Sequence, residues 1–226
     1  MSRASSFNTA VPAATLAEGL RALDLDLPET ASAQLIAYLA ELHKWNASYN
    51  LTAIRDPAEM ATRHLLDSLT LLPFLAGSHL PSAASRVLDI GSGAGIPGLI
   101  LAIARPDLQV VVLDSNGKKA RFMRHAVRTL GLRNAEVIED RAEDYTPAVP
   151  FDVILSRAFA SLAEFVDCSR QALSANGRWL AMKGKVTDEE RAALPPEMTI
   201  ETIHSLTVPG LEEARSLVIL RRSVVA

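Results

Sequence analysis

Arg86-Val-Leu-Asp-Ile-Gly-Ser-Gly-Ala-Gly95-Ile-Pro-Gly98 reads as a short β-rich run, a glycine-rich turn and the start of a helix. The glycines allow positive φ and let a ligand approach the backbone closely, while the helix start behind them offers free N–H groups. Downstream, the runs Gln109–Asp114, Ala135–Glu139, Phe151–Ser156 and Arg178–Lys183 alternate with helical stretches. That alternation predicts a parallel sheet with helices on both faces. Thr199–Leu206 and Ser216–Arg222 are joined around Pro209–Gly210 without a helical stretch, which predicts a closing antiparallel hairpin. The expected fold is α/β, with a seven-stranded, mostly parallel sheet.

Upstream, residues 13 to about 80 read as helical. Thr30 is expected to cap a helix carrying Leu35, Ile36, Leu39, Leu42 and Trp45. Asp56, Pro57 and Glu59 signal a second helix start, running through Met60, His64, Leu65, Leu69 and Leu72. The expected organisation is a small helical domain over 1–80, with 1–12 a flexible tail, and an α/β domain over 81–226.

The chain has 226 residues, 49% hydrophobic and 22% charged, which excludes a disordered chain. Its 23 Lys+Arg against 26 Asp+Glu give −3, which argues against a generic polyanion binder. Residues 114–133 nevertheless carry six basic side chains against Asp114 alone, a local +5. A single cysteine, Cys168, excludes a disulfide framework and fits a reducing compartment. The densest apolar stretch, Leu65 to Ala76, is broken by Asp67, Ser68, Thr70 and Pro73, and the first twenty residues hold no apolar block. A soluble, cytoplasmic protein with no membrane contact is expected.

Two nucleotide readings of the loop compete. G-x-G-x-x-G fails from Gly91, where the sixth position is Ile96, and fits only in the shifted register Gly93–Gly98, which keeps an NAD(P)-dependent oxidoreductase as an alternative. The unshifted Gly91, Gly93 and Gly95 meet the strand directly, and Asp89 lies two residues before them at its carboxyl end. A carboxylate there suits a cationic amino-acid moiety and suits a pyrophosphate poorly. This loop resembles motif I of class I S-adenosylmethionine-dependent methyltransferases. Asp114 ends the next strand 23 positions after Gly91, where an acid accepts ribose hydroxyl hydrogens or caps the following helix.

The chemistry can be narrowed. The fourth strand ends in Ile154-Leu-Ser-Arg157, without the Asn/Asp-Pro-Pro-Tyr/Phe motif of amino-group methyltransferases. Attack on pyrimidine C5 needs a cysteine, and Cys168 is read as a buried structural thiol in a helix. His43, His64, His79, His125 and His204 lack ligand spacing, so no metal site is expected. What remains is transfer to an acceptor that is already nucleophilic. Guanine N7 is one, with an in-plane lone pair and no proton to remove, so no general base is expected.

The helix after the second strand, Asn116 to Leu130, gathers Lys118, Arg121, Arg124, His125 and Arg128 on one face and Phe122, Met123, Ala126 and Leu130 on the other. No acid occurs from Ser115 through Ala135, and Lys118 and Lys119 sit in the first turn, where the helix dipole disfavours cations. A phosphate-tracking face is expected, which leaves a non-catalytic RNA-binding assembly factor as a further alternative.

Taken in order, several motifs resemble one family, the ribosomal RNA small subunit methyltransferase G (glucose-inhibited division protein B) family. They are Trp45-Asn-Ala-Ser-Tyr-Asn-Leu-Thr52, Arg63-His-Leu-Leu-Asp-Ser-Leu69, the glycine loop, Asp114-Ser-Asn-Gly-Lys-Lys119, Phe151–Leu162 and Met182-Lys-Gly-Lys185. The resemblance implies a Rossmann-like class I methyltransferase fold and N7 methylation of one guanine in 16S rRNA. It implies S-adenosyl-L-methionine as donor and the small ribosomal subunit or its rRNA as partner; the enzyme is expected to be a monomer. It also implies cofactor contacts from Gly91, Ile96, Ala142, Glu143 and Arg157, beside Asp89, Gly93 and Asp114. Lys183 and Lys185 follow the fifth strand and are expected to join Lys118, Lys119, Arg121, Arg124 and Arg128 in meeting RNA. Asn50, Thr52, His64 and Asp67 match family motifs, with packing between the two domains as their expected part.

Overall fold

The computed structural model describes residues 7–76, 86–157, 159 and 161–223. Seven strands form one sheet: β1 (Arg86–Ile90), β2 (Gln109–Leu113), β3 (Ala135–Ile138), β4 (Phe151–Ser156), β5 (Leu173–Lys183), β6 (Met198–Leu206) and β7 (Arg215–Arg222). Their spatial order is β3-β2-β1-β4-β5-β7-β6. The first five run parallel, and β7 lies antiparallel between β5 and β6, the hairpin expected from the sequence. Val110–Leu113 and Val87–Ile90 are buried along their length, as strands covered on both faces must be. The order turns back on itself between β1 and β4, and open α/β sheets place ligands at that crevice, beyond the strands' carboxyl ends.

The fifth strand begins at Leu173, ahead of the expected Arg178. Its register against β4 shifts between Phe151 and Val153. Ser174-Ala-Asn-Gly177 has the composition of a turn but spans this irregularity, and a Cβ at Gly177 would lie 2.9 Å from the Asp152 carbonyl oxygen.

The helices are α1 (Ala10–Ala22), α2 (Glu29–Tyr49), α3 (Pro57–Met60), α4 (Asp67–Leu69), α5 (Gly98–Ala104), α6 (Gly117–Leu130), α7 (Leu162–Asp167) and α8 (Asp188–Ala192). Two boundaries correct the sequence reading. Residues 10–12, expected in a flexible tail, open α1, because Pro12 and Leu16 find a buried face there; Phe7 also packs on the His43 ring, 5.0 Å between centroids. Residues 1–6 of that tail and the 80/81 domain boundary lie outside the described residues. Pro28, and not Thr30, precedes the first turn of α2: its carbonyl accepts from Ala31 N and Ser32 N. Asp56 does cap α3, accepting from Glu59 N at 2.9 Å, with Pro57 at the first position.

Between α3 and α4 the chain forms a π turn, Ala61–Leu66, which places His64, Asp67 and Ser68 in the buried seam between helices and sheet. One apolar cluster runs from Leu16, Leu35, Leu39 and Leu66 through Ile96, Leu99 and Phe122 to Val112 and Ile219. The helical region therefore shares its core with one face of the sheet. Phe151, Phe165, Trp179 and Leu220 belong to a second cluster, on the other face. Among the described residues no helix is long and apolar enough to cross a membrane.

Candidate functional site

Gly91, Gly93 and Gly95 take φ of 66°, 63° and 86°, the left-handed region that side chains disfavour. Two carboxylates brace this loop from beneath. Asp114 Oδ2 accepts from Gly93 N at 2.9 Å and lies 3.3 Å from Lys119 Nζ, while Oδ1 accepts from Asn116 N at 2.9 Å. Asp89 Oδ2 accepts from Gly98 N at 2.8 Å, an approach open only because a Cβ at Gly98 would come within 2.9 Å of that oxygen. Asp114 does not cap α6; Asn116 does, accepting from Lys118 N and Lys119 N. A Cβ at Gly117 would come within 2.7 Å of Glu139 Oε1, the end of a flexible side chain.

Asp89 departs from its expected place on the cleft wall. It is fully buried, and that burial pushes its carboxyl up to about 8, against the Gly98 amide and the positive charge of Arg157, which pull it down. Its Oδ1 has no hydrogen-bond partner among the described residues. The commitment of the Gly98 amide to Asp89 also explains why the shifted Gly93–Gly98 register offers no phosphate cradle.

Three cavities follow one another along the strand ends. The first, of about 470 Å³, is lined by Gly91, Asp114, Lys119, Asp140, Ala142 and Glu143 among others. The second, of about 290 Å³, shares Gly91 and Lys119 and adds Gly93, Ile96 and Arg157 to Leu51, Thr52 and His64 from the helical region. The third, also about 290 Å³, shares Arg157 and is walled by Arg63, Asp67, Lys183 and Arg215 with Ile54 and Met182. A Cβ at Gly93 would meet nothing within 4 Å, so the loop faces open space. Every expected cofactor residue except Asp89 thus lines one of two neighbouring cavities that share Gly91 and Lys119, and Asp89 lines neither.

Arg157 divides the second cavity from the third. Its Nη1 donates to the Arg63 carbonyl at 2.7 Å and to Asp67 Oδ2 at 3.1 Å, tying the end of β4 to the π turn. His64 Nε2 lies 3.1 Å from Thr52 Oγ1, and burial, with Arg157 nearby, pulls its imidazole down to about 4, so it is neutral at pH 7. Tyr38 Oη donates to the Ala94 carbonyl at 2.7 Å, fixing α2 to the loop. Sequence reasoning left Thr52, His64 and Asp67 without a chemical part; the fold sets all three on the cleft. Asn50 instead ends α2 in the left-handed conformation, with Arg55 on its carboxamide. Burial pushes the Cys168 thiol up to about 12, which suits the structural part expected of it, although it ends α7 and does not sit within the helix.

The basic residues separate into two groups. Lys118, Arg121, Arg124, Arg128 and Lys185 are exposed. Lys119 turns instead to Asp114 in the cleft, and Lys183 is half-buried, 2.7 Å from Glu190 and donating to the Phe159 carbonyl. The stripe on α6 is less one-signed than its sequence suggests, because Glu139 from the end of β3 pairs with Arg124 at 2.8 Å and Glu41 from α2 with His125 at 2.7 Å. Arg121 and Arg128 have no such partner among the described residues. Replacing these two by alanine is expected to flatten the dependence of log K on log salt for RNA by about 0.7 for each phosphate no longer neutralised, and Arg124→Ala by less. A slope equal to the wild type's would make α6 an ordinary solvated face. Among the described residues no group of three His, Cys, Asp or Glu is placed to hold a metal ion.

The fold is the Rossmann-like fold of class I methyltransferases. N-methyltransferase NodS from Bradyrhizobium japonicum WM9, solved in complex with S-adenosyl-L-homocysteine, superposes with a TM-score of 0.54 at 15% identity, over 83% of this chain and 98% of its own. Within that class the sequence is far more particular. Residues 31–219 match the rRNA small subunit methyltransferase G family, GidB. The ribosomal RNA small subunit methyltransferases G of Pseudomonas syringae pv. syringae (strain B728a) and pv. tomato (strain ATCC BAA-871 / DC3000) are each 50% identical to it. The alignments cover 97% of this chain and 99% of the first relative, and 92% and 95% for the second. The chain belongs to the rRNA small subunit methyltransferase G family.

Proposed function

We propose that this enzyme methylates N7 of a guanine in 16S rRNA. The observation that carries the reading is the row of three cavities at the β1–β4 switch point, linked by shared wall residues, Gly91 and Lys119 between the first two and Arg157 between the second and third. S-Adenosyl-L-methionine supplies the electrophilic methyl group. Asp114, whose oxygens keep spare lone pairs, would accept from the ribose hydroxyls, and Ala142 and Glu143 would border the adenosine end. Gly91, Gly93 and Ile96 would line the loop under the donor, with Lys119 and Arg157 facing its carboxylate. Asp89 would act through the loop, holding the Gly98 amide. N7 carries a free lone pair, so alignment in a dry cleft is what the protein must provide, and no side chain need remove a proton. His64, neutral and bonded to Thr52, fits that requirement.

We further infer a monomeric enzyme in which the helices of residues 1–80 form a small domain that shares its apolar core with the 81–226 methyltransferase domain and completes its cleft. Lys118, Arg121, Arg124, Arg128 and Lys185 would meet RNA outside the cleft. The test is transfer of a labelled methyl group from S-adenosyl-L-methionine to unmodified 16S rRNA, mapped by cleavage at 7-methylguanine. The expected result is one labelled guanine; label at a pyrimidine or an exocyclic amine would overturn the N7 assignment.

A further inference from the structure

We infer that the third cavity receives the target base and that the carboxylate of Asp67 reads its Watson–Crick edge. This rests on the guanine-N7 reading above and deepens it. Asp67 is a costly residue to bury: its side chain is 2% exposed, at the end of a π turn, between two guanidinium groups. Oδ2 lies 3.1 Å from Arg157 Nη1, and Oδ1 lies 3.4 Å from Arg215 Nε without forming a hydrogen bond among the described residues. A carboxylate has about four acceptor positions, and Oδ1, itself shielded from solvent, accepts no hydrogen bond among the described residues, while the residue lines a cavity. Buried acceptors are nearly always matched, so an unmatched one at a cavity wall points to a donor that arrives with a ligand.

The two neutral bases with an N7 differ at that wall. Guanine presents N1–H and the N2 amino group, two donors side by side, where adenine presents the bare N1 acceptor. Its other polar edge carries O6 beside N7. With N7 turned to the glycine loop, O6 would fall near Arg157, which borders both cavities, and N1 and N2 near Asp67, in the third cavity alone. Ile54 and Met182 supply apolar wall for the ring.

The same contact favours the reaction. The N7 lone pair forms the N–CH₃ bond while the C–S bond breaks and its electron pair passes to sulfur. The positive charge moves onto the purine ring, and no proton leaves. N1–H and the N2 amino group become stronger donors as that charge develops, so hydrogen bonds to a carboxylate tighten in the transition state. Asp67 accepts these bonds throughout and takes no proton.

The experiment uses 16S rRNA carrying guanine or inosine, which lacks the N2 amino group, at the mapped position. Wild-type enzyme is expected to prefer guanine by at least about tenfold in kcat/KM. In Asp67→Asn, where the carboxamide presents one acceptor and an opposing donor, that preference should fall towards one, chiefly through kcat for guanine. Cofactor binding and melting would show that the variant is folded. Equal rates on guanine and inosine with wild-type enzyme would overturn the inference even if Asp67→Asn does not fold, and so would an unchanged preference in a folded variant. Failure of wild-type enzyme to methylate guanine-bearing rRNA would instead count against the N7 reading itself.

Discussion

Arg157→Ala is expected to lose at least about a hundredfold in methyl transfer, with a loss in stability of comparable free energy. The side chain stands where two of the three cavities meet. It borders both the cavity under the glycine loop and the one beyond it, and it holds the Arg63 carbonyl and Asp67 Oδ2 with one nitrogen. Removing it leaves a buried carboxylate with Arg215 alone, and breaking a buried pair costs roughly 3–5 kcal/mol. Arg157 is itself 30% exposed, so solvent returns part of that, and about 2–3 kcal/mol is expected in the melting curve. Arg157→Lys keeps the charge and loses the planar fork. It should therefore recover stability more fully than activity. Full methyl transfer by a folded Arg157→Ala would remove this residue from the site.

How far the sequence revealed the site depends on which interactions are local. Strands β1 and β4 have the bounds read from the sequence, because both are short apolar runs ended by a turn or an arginine. The glycine loop was legible for the same reason: its positive φ values are a property of the glycines themselves. What a side chain meets across the fold was not legible. Of the two parts open to Asp114, ribose acceptor or helix cap, the second falls to Asn116 two residues later. Lys119 and Lys183 read as exposed cations, yet each turns to a carboxylate only a few positions away, Asp114 and Glu190, which the run of charges alone did not reveal. Asp67 is the extreme case. Its partners, Arg157 and Arg215, lie 90 and 148 positions downstream, and nothing in Arg63-His-Leu-Leu-Asp67 marks a π turn.

Two buried groups with opposed shifts shape how stability follows pH. Asp89 is raised from 3.8 to about 8, so between those values the native state holds a proton that the unfolded chain has released. Stability from this group is full below pH 3.8 and falls as pH rises, by about 1.4 kcal/mol per unit. His64 is lowered from 6.5 to about 4, so between those values the unfolded chain holds a proton that the native state lacks. Its contribution is full above pH 6.5 and falls as pH drops, with the same slope and opposite sign. The two cancel between about pH 4 and 6.5, which leaves a plateau. Above it Asp89 acts alone, and about 2 kcal/mol should be lost between pH 6.5 and 8. Asp89→Asn keeps an oxygen to accept from Gly98 N and cannot ionise. The variant should lose the decline above pH 6.5 and show instead the His64 rise from pH 4 to 6.5. Melting curves of both proteins across about pH 4–8 provide the check, and a decline of the same depth in Asp89→Asn would assign it to another group.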